Sequence, residues 1–93
     1  MDITKMLSPI ALSSLLTKKV QDYFSNRGQP HLATAILTIF VKNSSIFIHV
    51  SGTLARAEIR MHGEAIQQII SQCLGSSETY SIRILVGTSP HQP

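Results

Sequence analysis

Only one cysteine, Cys73, occurs in the sequence. No intramolecular disulfide is open to it, and a reducing, cytoplasmic setting is expected. Charged residues make up just 14% of the chain against 43% hydrophobic, a balance that excludes a disordered, highly charged tail and calls for a folded globule. Eight Lys and Arg against five Asp and Glu leave a formal net charge of +3. That permits an anionic partner but is not the composition of a dedicated nucleic-acid coat protein. No apolar run approaches the roughly 20 residues that cross a bilayer, so no membrane segment is expected. His31, His49, His62 and His91 show no His-x-x-x-His spacing and no Cys-x-x-Cys accompanies them, so no metal ligand set is expected. Cys73 and His62, read as parts of one helix, stand about 16 Å apart, beyond the reach of a nucleophile and its base. The glycines are isolated rather than gathered into a phosphate loop. With no catalytic set and no cofactor motif, a non-enzymatic domain is expected.

What is present is a clear order of periodic segments. ILTIFVK and SIFIHVS alternate with a period of two and are separated by the polar residues Lys42, Asn43, Ser44 and Ser45. Two strands joined by a hairpin turn follow, because Asn tolerates the left-handed backbone that tight turns require. After Gly52 the period changes. Leu54, Ala55, Ile59, Ile66, Ile69, Ile70 and Cys73 form a stripe of one long helix that stops at Gly75. Gly63 falls inside that helix, at a cost of about 1 kcal/mol relative to Ala. Tyr80, Ile82, Ile84 and Val86 alternate as a third strand. Ahead of all this, Ser8 reads as a cap, Pro9 as the first helical residue, and Gly28 with Pro30 as the stop of a helix whose stripe is Leu12, Leu16, Val20, Tyr23 and Phe24. The opening MDITKMLSPIALSSLL is better used in that helix than as a signal peptide. The expected fold class is α+β, in the order α-β-β-α-β, a three-stranded sheet with two helices on one face. Residues 1–87 form a single domain in this reading, and residues 88–93, Pro-rich and without an apolar anchor, form a disordered tail.

Two surfaces are candidates for function. Arg56 and Arg60 lie four residues apart near the start of the second helix, where Ser51, Gly52 and Thr53 add hydrogen-bond donors, an arrangement suited to a visiting phosphate. The plainer alternative is a solvated face on which Glu64 offsets Arg60. With Leu37, Ile39, Ile46, Ile48, Ile82 and Ile84 assigned to the core, register leaves Phe40, Phe47, His49, Arg83 and Leu85 on the opposite sheet face. Aromatics interleaved with Arg and His describe a platform for unpaired bases; they also describe a homodimer interface or a docking surface for another protein, which exposed apolar patches more often are.

The stretch VKNSSIFIHVSGTLARAEIRMHGEAIQQIISQCLG followed by YSIRILVG resembles the domain of DciA-like bacterial proteins. The shared features are the hairpin over Asn43 to Val50, the small-residue helix start over Ser51 to Ala57, the step Glu58-Ile59-Arg60, and the final strand with Ile82-Arg83-Ile84. The chain lacks the Trp that many members carry and has no Gly-x-x-Gly loop. The resemblance implies a KH-like fold, DNA binding and an association with the replicative helicase. Members engage the helicase through a long extension. Here GTSPHQP follows the last strand, so any helicase contact is expected from the folded domain. Together these readings give weak binding to single-stranded or forked DNA through Lys42, Arg56, Arg60 and Arg83, with an interaction surface at Phe40, Phe47, His49 and Leu85. The alternatives are a homodimerising protein-interaction module and an RNA-associated KH-like factor.

Overall fold

A computed structural model of the chain describes residues 8–87. The expected tail over residues 88–93 lies outside them, as do the first seven residues.

Helix α1 (Pro9–Asn26) starts as its sequence dictates: the Ser8 hydroxyl accepts from the Ala11 N–H at 3.1 Å, and Pro9 takes the first position. It ends where Gly28 turns left-handed at φ 77° and the Gln29 N–H reaches back to the Phe24 carbonyl at 2.9 Å. Pro30 then opens a second, short helix, α2 (Pro30–Ala35), that alternation and stop signals did not indicate. Proline is pre-set for a first helical turn, and Leu32, Ala33 and Ala35 use that turn to bury themselves.

Strands β1 (Ile36–Lys42) and β2 (Ser45–Val50) form the expected antiparallel hairpin, with Lys42 opposite Ser45. Both turn residues are left-handed, Asn43 at φ 52° and Ser44 at φ 62°, the pair of signs that matches the twist of the flanking strands. Strand β3 (Ser81–Val86) runs parallel to β2, giving a mixed sheet in the order β1-β2-β3. A parallel neighbour requires a crossover. It is made by two helices, α3 (Thr53–Arg60) and α4 (Gly63–Leu74), where one was expected. The break at Met61 and His62 keeps Ile59 and Ile66 on the same core-facing stripe, so apolar periodicity runs through it unchanged. Gly63 accordingly begins α4 rather than weakening a helix interior, and a Cβ placed there would meet the Ile82 side chain at 3.6 Å, an ordinary contact.

The core joins Leu16, Val20 and Phe24 of α1 to Ile36 and Ile39 of β1, Ile46, Ile48 and Val50 of β2, and Ile59, Ile66 and Ile70 of α3 and α4. Two sequence assignments are corrected here. Leu37, expected inside, is 52% exposed, because a bulge between Ile36 and Thr38 shifts the pairing and sends Ile36 inward in its place. Leu54, expected on the apolar stripe, is 78% exposed, since Ala55 and Ile59 hold the core-facing side of α3. Ile82 and Ile84 pack against the core without being fully buried, as befits an edge strand.

The two edges of the sheet are treated differently. Along β1, three polar residues of α1 at four-residue spacing meet the outward backbone groups. Thr17 Oγ1 accepts from the Ile39 N–H at 2.8 Å, Ser13 Oγ donates to the Ile39 carbonyl, and Gln21 Nε2 donates to the Ile36 carbonyl at 3.0 Å. Along β3, Ser81 and Gly87 donate inward, to the Ser44 and Val50 carbonyls. The backbone groups of the residues that alternate with these, Ile82, Ile84 and Val86, therefore point away from the sheet.

Candidate nucleic-acid interface

Arg56 and Arg60 stand one turn apart on α3, and β3 runs beside that helix. Between them lies a groove lined by Arg56, Arg60 and Gly63 on the helical side and by Ile82, Arg83, Ile84 and Leu85 on the strand side. Three of the predicted site residues, Arg56, Arg60 and Arg83, thus meet at one place although more than 20 positions separate Arg60 from Arg83 in the chain. The parallel crossover is what brings them there.

The helix break alters the electrostatics expected of this pair. Arg60 is the last residue of α3, not part of a helix start, so the negative end of the helix dipole favours its charge. Glu64 belongs to the first turn of α4 and makes no ion pair with Arg60. Among the described residues Lys18 makes an ion pair with Asp22 at 3.7 Å, and His31 Nε2 meets the Glu58 carboxylate at 3.4 Å as a hydrogen bond. The guanidinium groups of Arg56, Arg60 and Arg83 have no carboxylate of the described residues within that reach. Ser51, Gly52 and Thr53 do not line the groove, and Lys42 is removed from it, at the hairpin tip beside Pro9, Leu12 and Leu16 of α1.

On the opposite face of the sheet, Phe40 and Phe47 are cross-strand neighbours. Their rings stack with centroids 4.9 Å apart and planes 13° from parallel, and His49 meets Phe40 edge-on at 6.2 Å. Arg83 pairs with Phe47 on the third strand, so Phe40, Phe47 and Arg83 make one row across the sheet. His49 pairs with Thr38 and Leu85 in the next row. The four residues assigned to this surface, Phe40, Phe47, His49 and Leu85, are together on it. Leu37 joins them, missed in the sequence because a bulge has no signature in simple alternation.

His62, in the turn between α3 and α4, hydrogen-bonds through Nδ1 to the Tyr23 hydroxyl at 3.1 Å and packs edge-on against Phe24. That contact fixes the turn, and with it Arg60 and Gly63, against α1. Among the described residues no three His, Cys, Asp or Glu side chains gather as metal ligands, and no helix is long and apolar enough to cross a membrane. No protein-family model, curated protein or solved structure matches the chain.

Proposed function

We propose that this chain is a non-enzymatic, KH-like DNA-binding domain of the DciA-like kind, and that it holds single-stranded or forked DNA in the groove between α3 and β3. The observation that carries this reading is the convergence of Arg56, Arg60 and Arg83, all without carboxylate partners among the described residues, on one groove. Guanidinium forks match phosphate oxygens in pairs. The groove also offers Ile82 and Ile84 as an apolar wall, and the backbone N–H and C=O groups of an open strand edge. Unpaired bases present both a face and a hydrogen-bonding edge to such a surface, whereas in a duplex the faces are stacked and the pairing edges are occupied. This favours single strands.

Fluorescence anisotropy with labelled oligonucleotides tests the reading. The Arg56→Ala, Arg60→Ala double variant is expected to bind single-stranded DNA at least tenfold more weakly than the parent; equal affinity sinks the groove as the site. A competing RNA oligomer of the same base sequence decides between DNA and the RNA-associated alternative.

The cellular role that goes with this reading is cytoplasmic, beside the replicative helicase. The exposed α1 surface around Lys18, Lys19 and Asp22 is the proposed contact. Affinity capture from nuclease-treated lysate should then recover the helicase. Recovery of ribosomal proteins and RNA in its place would move the assignment to an RNA-associated factor.

A further inference from the structure

The groove does not exhaust the cationic and aromatic surface of the sheet. Arg83 lines the groove and is also the outer member of the row Phe40, Phe47, Arg83 on the face turned away from the helices. We propose that a single nucleic-acid strand held in the groove continues over the β3 edge at Arg83 and stacks its next bases on Phe47 and Phe40. The proposal rests on the reading of the groove as a nucleic-acid site.

Charge selects this occupant. The three strands contain no Asp or Glu, while Lys42, His49 and Arg83 stand on their outer face. The described carboxylates are elsewhere: Asp22 beside Lys18, Glu58 beside His31, Glu78 bonded to Ser44 at the hairpin turn, and Glu64 on α4. A second copy of the chain laid face to face on this sheet would bring no strand carboxylate to Lys42 or Arg83. A polyanion with flat, apolar bases matches both halves of the surface. Geometry agrees with charge. The Phe40 and Phe47 rings are already parallel within 13°, so a base laid against the pair extends a stack that the protein has begun. Each step of the row is a strand spacing of about 4.8 Å, which puts Phe47 within a side chain's length of Arg83. Leu37 and Leu85, 52% and 41% exposed, continue the apolar surface on the His49 side.

Oligothymidines of two lengths, about 5 and about 15 nucleotides, separate the groove from its continuation, since single-strand sites on small domains span that range. A Phe40→Leu, Phe47→Leu variant keeps the surface apolar and removes the stacking rings. Binding of the long oligomer is expected to fall about tenfold, while the short one binds as to the parent. Ultraviolet cross-linking of the long oligomer to the parent should mark Phe47 or Phe40 by mass spectrometry. Long-oligomer affinity unchanged in the Phe variant overturns the path and leaves the groove standing. Short-oligomer affinity unchanged in the Arg56→Ala, Arg60→Ala variant overturns the groove, and the path with it. Equal loss at both lengths in the Phe variant, or a parent dimer in sedimentation that Phe47→Glu dissolves, also overturns the path.

Discussion

Ile36 is 2% exposed and wedged among strand and helix residues of the core. Truncating it to Ala deletes buried methyl groups and leaves a cavity, so Ile36→Ala should cost about 2–5 kcal/mol. Its neighbour Leu37, larger in solvent contact than in packing, should tolerate Ser within about 0.5 kcal/mol. Urea denaturation of the two variants checks the bulge directly, because strict alternation through β1 would reverse the ranking. The bulge could not be read from the sequence, since ILTIFVK fits either register equally well. The hairpin turn could be anticipated in part: Asn43 announced a left-handed residue, while Ser44, also left-handed, did not. Site residues divide in the same way. Arg56 and Arg60 are one turn apart in any helix, whereas their meeting with Arg83 depends on a crossover that no local pattern encodes.

Among the elements, α1 carries two kinds of information on one cylinder. Its apolar stripe, Leu16, Val20 and Phe24, makes core, and that much was legible from spacing. Its polar stripe, Ser13, Thr17 and Gln21, looks like ordinary solvated surface in sequence, yet it satisfies the backbone of β1. Thr17→Val keeps the shape and removes the acceptor of the Ile39 N–H. Leaving that part-buried donor unpaired should cost about 1–3 kcal/mol, seen as a lower melting midpoint, and should speed hydrogen exchange at Ile39 more than at core amides such as Ile48. The crossover shows the converse failure. Ile59, Ile66 and Ile70 share one stripe at spacings of seven and four, so α3 and α4 read as one helix, and only the partners of His62 in α1 reveal why the chain turns there. The short α2 was hidden because Pro30 serves as well for ending one helix as for starting another.

At the scale of the whole molecule, a net charge of +3 is small, and binding strength must come from where the cations sit rather than from their number. If three arginines neutralise three phosphates of a single strand, the logarithmic salt slope should be about −2. A slope near zero in anisotropy titrations would mean that phosphates are not the contact. The same molecule has one sheet edge covered by hydroxyl and amide side chains and another whose outward backbone groups meet no side-chain partner among the described residues. A flat strip with two adhesive ends can add copies indefinitely and grow into a fibre. With one end blocked, each copy has a single place to join, and any accidental strand pairing through β3 is complete at two. Concentrated protein should therefore sediment as monomer and at most dimer, with no ladder of larger species. The stripe on α1 thus acts as a chain terminator, setting an upper bound on assembly size by counting ends and not by weakening any contact.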